Sequence, residues 1–161
     1  MNRWGVSAIA AAVVVGVVTV VVALPGEAEV DPRAYPGSRP GFTLADLERI
    51  SVMSVPECAR TRLRYYIEPM FADSVAFDFV ATPECVDQFF AGFGADATKP
   101  DFPEFRGRYV SASGVDWHLE PDARLEGFAQ VLRGPQWDEQ VDVYVDRSGE
   151  PHVYVKTITL G

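Results

Sequence analysis

Nineteen consecutive residues, Val6 to Leu24, include only three outside the hydrophobic set, Ser7, Gly16 and Thr19, and carry no charge. At 1.5 Å of rise per residue they make a helix of about 28 Å, close to the ~30 Å hydrocarbon thickness of a bilayer. Arg3 precedes the run, whereas Glu27, Glu29 and Asp31 follow it before the next cation, Arg33. The bias of positive charge toward the cytoplasm then predicts a cytoplasmic tip at 1–5, a transmembrane helix over 6–24 and residues 25–161 outside. Trp4 suits an anchor at the inner headgroups. The alternative is a signal peptide cleaved after Ala23 in Val21-Val22-Ala23, which would release a secreted protein. The run is longer than the usual apolar part of such signals, about 7–15 residues, which favours the anchor. Ala8, Ala12 and Gly16 form a small-residue stripe that would let two such helices pair as a homodimer.

Both readings place the remainder outside the cytoplasm. The chain's 48% apolar content is therefore a mixture of two compositions, an apolar segment and a modestly polar remainder. Of the formal charge of −9 only the single positive charge of Arg3 lies before the apolar run, so the acidic excess belongs to the external side. An acidic external part makes nucleic acid an unsuitable partner.

Residues 25–41 carry four Pro and three Gly and little to bury, the composition of a semi-extended tether. From Phe42 to Gly161 there is enough chain for one core. Thr43-Leu-Ala-Asp46 reads as a helix cap, with Leu44, Leu47 and Ile50 behind it. Leu63, Tyr65 and Ile67 alternate with polar neighbours, and Val75, Phe77 and Phe79 repeat the pattern, predicting a hairpin around Pro69–Ser74. Thr82-Pro83-Glu84 opens a helix that carries Val86, Phe89, Phe90 and Phe93 at helical spacing before Gly94. Further strands are predicted at Tyr109–Ser111, Val115–Leu119 and Phe128–Leu132. A last hairpin joins Val141, Val143 and Val145 through Arg147-Ser-Gly149-Glu to His152–Leu160. This order predicts an α+β domain over 42–161 with a mainly antiparallel sheet and one or two packed helices.

Cys58 and Cys85 sit in similar tetrapeptides, Val55-Pro-Glu-Cys58 and Thr82-Pro-Glu-Cys85. In an exported domain two cysteines point to a disulfide. Two buried thiols are the alternative, should the predicted helix starts lie more than about 7 Å apart. The only histidines are His118 and His152, too few for a His-based metal site without distant carboxylates. An enzyme would need one of them gathered with acids in a pocket, and no G-x-S-x-G elbow or other catalytic motif is present. Gly92-Phe-Gly94-Ala-Asp-Ala97 resembles a dinucleotide loop, yet it ends a helix where that motif opens one. No cofactor is therefore expected. Asp138, Glu139, Asp142 and Asp146 lack the spacing of a calcium loop. Arg60, Arg62 and Arg64 read as a strand's wet face opposite Asp78. Trp117 and Trp137, with Phe102, Phe105 and Tyr109, are the candidate recognition patch, because aromatics dominate interface hot spots.

Arginine outnumbers lysine twelve to two, and Asn2 is the only asparagine. With the Arg-led Val/Ala segment, Pro56-Glu-Cys-Ala-Arg60, Phe77-Asp-Phe79, Phe89-Phe90, and Val143-Tyr-Val-Asp146 followed by Val153-Tyr-Val155, the chain resembles small single-pass membrane proteins of unknown function from GC-rich Gram-positive bacteria. The resemblance implies a location and an architecture, and transfers no catalytic residue. The expected function is an extracytoplasmic binding or protein-interaction module of the cell envelope. A secreted inhibitor or effector and a small enzyme near His118 or His152 are the alternatives.

Overall fold

A computed structural model describes residues 30–51, 53–68, 74–94, 104–134 and 137–160. Six antiparallel strands form one sheet in the order β1-β2-β6-β5-β4-β3. They are β1 (Leu63–Ile67), β2 (Ser74–Val80), β3 (Glu104–Arg106), β4 (Arg124–Arg133), β5 (Asp138–Asp146) and β6 (His152–Leu160). Among the described residues two α-helices accompany them, α1 (Leu44–Ile50) and α2 (Pro83–Ala91), with a 3-10 turn at Glu57–Arg62. The expected α+β class with a mainly antiparallel sheet is what the domain adopts. Among the described residues no helix is long and apolar enough to cross a membrane, and the segment 6–24, with Ala8, Ala12 and Gly16, lies outside them.

Side chains alternate across a strand, so the register decides which residues share a face. Tyr65 pairs with Phe77, Phe77 with Val155, and Val155 with Val143, which puts the expected hydrophobic positions together on one face. There they meet both helices. Thr43 holds the start of α1, its backbone N–H and its hydroxyl each donating to Asp46 Oδ2 at 2.9 Å. The Thr82 hydroxyl accepts from the Cys85 N–H at the start of α2, and Pro83 occupies the first turn, where no N–H is needed. Val86, Phe89 and Phe90 of α2 then lie fully against the sheet. The rings of Phe79 and Phe89 meet edge to face at 5.2 Å, and Phe90 reaches Phe128 of β4 at 5.5 Å. Cys58 and Cys85 are joined by a disulfide, their Cα atoms 6.1 Å apart, which ties the 3-10 turn to α2.

Two expected strands are absent. Residues 107–109 form a 3-10 turn and 110–123 an irregular loop, whose one local pairing joins Ala112 to Val115. Tyr109–Ser111 and Val115–Leu119 find no partner strand because this loop crosses the second face of the sheet instead of extending its edge. The Phe128–Leu132 segment lies inside the longer β4, and β3 was too short to show a period.

Candidate functional site

The second face is built from the other half of the alternation: Arg64 and Tyr66 of β1, Ala76 and Asp78 of β2, His152, Tyr154 and Lys156 of β6, and Asp142 and Tyr144 of β5. Such residues read as solvent-facing in sequence, yet Tyr66, Ala76, Asp78, Tyr144 and Tyr154 are buried. Two irregular segments cover them. The loop 107–123 lays Trp117 against Tyr154, with ring centroids 5.3 Å apart, and packs Val110, Leu119 and Ala123 near Leu125 and Tyr144. Its turn at Gly114 has φ +74° and lies so close to Tyr66 that a Cβ there would sit 2.1 Å from the ring. Only glycine fits both demands.

The second cover is the Pro/Gly-rich stretch read as a tether. Ala34 bridges Tyr65 in parallel beside β1, and Tyr35 is 8% exposed. The Tyr35 N–H donates to the Tyr65 carbonyl at 2.7 Å, and the Tyr65 N–H donates to the Arg33 carbonyl at 3.0 Å. Residues 31–41 are thus part of the folded domain. The signal in the sequence was Tyr35 itself, one large ring that a free tether would leave in water. Asp31 braces the turn that follows it: Arg33 donates to both of its carboxylate oxygens, and these bonds hold its carboxyl at about 2. Since that value lies below the ordinary one, the bracing is complete above about pH 4 and fades as the pH falls toward 2.

Under these covers runs a chain of polar contacts. Tyr35 Oη donates to Asp78 Oδ1, His152 Nε2 lies 2.7 Å from Asp78 Oδ2, and Tyr154 Oη lies 2.9 Å from His152 Nδ1. The tautomer protonated at Nε2 satisfies both imidazole contacts, donating to Asp78 and accepting from Tyr154. The Arg64 guanidinium stacks 3.9 Å above the Tyr35 ring. Burial, then the bond to Asp78, raises the Tyr35 hydroxyl above its ordinary value. Burial, then the charges of Asp146 and Asp78, pushes Tyr154 up to about 12. Chemically the network is closed. Both Asp78 oxygens and both His152 nitrogens are engaged inside the fold, so its geometry serves to clamp the strap to the sheet.

Toward the Ile158 end of β6 the covers stop. A cleft of about 340 Å³ opens between the sheet and the loop, lined by Ser74, Ala76, Ser111, Ser113, Lys156 and Ile158 among others. Lys156 Nζ stands 3.4 Å from Asp142 Oδ2, so its charge is partnered at the cleft wall. At the cleft's rim and beyond it the same face carries the uncovered aliphatic residues Ile158 (47% exposed), Val131 (51%) and Leu160 (39%). Gln140 is the cross-strand neighbour of both Val131 and Ile158, which makes these two part of one row across β4, β5 and β6. No residue of this row was a candidate in the sequence, because isolated aliphatics at strand ends carry no motif.

The sequence-derived candidates are dispersed. Trp117, carried by the loop, is half-buried against Tyr154, and Phe105 meets Tyr144 edge to face at 5.0 Å in the same cluster. Trp137 is 60% exposed at the turn between β4 and β5, Phe102 lies outside the described residues, and nothing is described of the Tyr109 side chain. The three arginines are not one strand face. Arg60 and Arg62 belong to the 3-10 turn and pair with Glu48 and Glu150, and Arg64 alone lies opposite Asp78. His118 is exposed, left-handed at φ 51°, and 3.1 Å from Asp116. Among the described residues no three His, Cys, Asp or Glu side chains converge to hold a metal. No protein-family model, curated protein or solved structure matches the chain.

Proposed function

We propose that this chain is a membrane-anchored extracytoplasmic binding module whose contact surface is the uncovered end of the second sheet face. The observation that carries the reading is the row of Val131 and Ile158 with Leu160, exposed beside the Lys156 cleft where the strap and loop no longer cover the sheet. Isolated exposed aliphatics need no explanation, and what supports the reading is that these three share one rigid sheet face next to a cleft with polar walls. A protein partner suits a surface of this mixed character. The Cys58–Cys85 disulfide fits an oxidising compartment, and the apolar run 6–24 supplies the route there and the anchor. The closed Asp78–His152–Tyr154 network favours binding over catalysis, since it offers the cleft neither a free proton acceptor nor a nucleophile.

The test is a photo-cross-linking residue placed at Ile158 in the full chain in cells, with the same probe at the exposed Glu57 as control. A discrete cross-linked partner from position 158 and none from 57 is expected. Identical patterns from the two positions would reject the surface. Recovery of a soluble chain beginning at Leu24 would reject the anchor in favour of a secreted effector.

A further inference from the structure

Docking of the strap changes how far the domain stands from the membrane. Besides the two bonds at Tyr65, the Arg39 N–H donates to the Ile67 carbonyl at 3.0 Å and the Ile67 N–H donates to the Ser38 hydroxyl at 3.0 Å. Tyr35 adds its buried ring and its bond to Asp78. Residues 31–41 are thereby committed along the edge of β1, and residues 25–30 alone separate them from the apolar run. A chain spans at most 3.3–3.6 Å per residue, so those six reach about 20 Å, against about 60 Å for the whole of 25–41.

We infer that the strap sets the height of the module, confining its exposed face to the layer beside the bilayer, so that the partner it meets is another membrane-held protein. The inference rests on the reading of 6–24 as an uncleaved anchor. It adds that the Pro/Gly composition, which would suit a long reach, is used for the opposite purpose. The prolines and glycines shape the strap's turns, with Gly37 and Gly41 at φ +83° and +75°, while Tyr35 clamps it.

The experiment uses the full chain in phospholipid vesicles with acceptor-labelled headgroups and a donor dye at Ser148→Cys, the native cysteines being engaged in their disulfide. Inserting eleven Gly/Ser residues between Gly26 and Glu27 restores the longer tether without touching the fold. The insertion raises the greatest span open to the chain between the apolar run and Asp31 from about 20 Å to about 60 Å, so transfer should fall. Equal transfer in the two chains, both floating with the vesicles, would overturn the height-setting role and leave the anchor standing. Failure to float would overturn both. In cells that lack this chain, the partner identified through position 158 should by itself stay with salt- and carbonate-washed membranes, and its recovery there in the soluble fraction would overturn the inference.

Discussion

The two faces of the sheet solve the same burial problem by opposite means. One is dry: Leu63, Tyr65, Ile67, Phe77, Phe79, Val143 and Val155 meet α1 and α2 in a single apolar cluster stapled by the disulfide. The other is covered by irregular chain and built from tyrosines around an internal Asp–His contact. Regular helices shield their own backbone polar groups and can press a purely apolar face onto the sheet. The strap pairs its backbone with the edge of β1 and sends one polar-tipped ring, Tyr35, over the sheet, so the face beneath holds the carboxylate that its hydroxyl needs. The difference teaches where stability and specificity reside. The dry face supplies bulk hydrophobic free energy, whereas the tyrosine face fixes the positions of segments that have no secondary structure of their own.

Breaking the dry face should cost most. Phe79 is fully buried and touches both Phe77 and Phe89. Phe79→Ala should lose about 3–5 kcal/mol of unfolding free energy in urea titration, the usual cost of a cavity left by a core ring. A loss near 1 kcal/mol would mean that α2 collapses into the gap and that the face is less tightly packed than its burial implies. Replacing Cys58 and Cys85 together by Ser removes a closure of 27 residues in sequence separation. The chain-entropy relation gives about 3.5 kcal/mol for such a loop, read out as a lower urea midpoint. A midpoint unchanged by reductant in the native chain would show that the packing of α2, rather than the bond, holds that corner.

The tyrosine face should yield smaller and pH-marked effects. Tyr35→Phe keeps the ring and removes the donor to Asp78, leaving a buried carboxylate oxygen short of one bond. The expected cost is about 1–3 kcal/mol at neutral pH. The sign of the alkaline effect follows from the raised hydroxyls. Tyr35, Tyr66, Tyr144 and Tyr154 all stay protonated in the fold above their ordinary range. Unfolded tyrosines ionise near pH 10, so the folded state binds more protons and stability falls as the pH rises from about 10 toward about 12. Tyr35→Phe should therefore also flatten that alkaline decline. An unaltered decline would place the strap's tyrosine outside the titrating set.

How legible each face was in the sequence follows the same division. Period-2 runs such as Val75/Phe77/Phe79 and Val141/Val143/Val145 have one physical cause, a strand half-buried under a regular element, and the residues that face the core were readable. The cap at Thr82 and the Phe spacing of α2 were equally local. Asp78 in the first of those runs and Tyr154 between Val153 and Val155 of β6, at the alternate positions, gave no sign of burial, because their covers come from distant chain without periodicity. Val115–Leu119 alternates like a strand, yet it must follow the uneven surface of Tyr66 and Tyr154 and pairs with no strand. The exposed row at Val131 and Ile158 could not be read at all. What defines it is the point where the loop stops, a property of three-dimensional reach.

The smallest effect is the sharpest test of the comparison, since it applies one substitution to both faces. Val143 of β5 is 0% exposed on the dry face, and Val131 of β4 is 51% exposed on the other. Val→Thr keeps β-branching and nearly keeps volume, so strand propensity is constant and what differs is where the hydroxyl goes. At Val143 the hydroxyl enters an apolar cluster and should cost about 1–3 kcal/mol. At Val131 water solvates it, and the change should stay within about 0.5 kcal/mol. Partner binding should invert that order: Val131→Thr combined with Ile158→Thr should reduce cross-linking from the neighbouring Leu160 position, while Val143→Thr, wherever the chain remains folded, should not. A pair of exposed substitutions that left cross-linking untouched would return the binding surface to Trp137, among the described residues the other large hydrophobic side chain exposed at that end of the sheet.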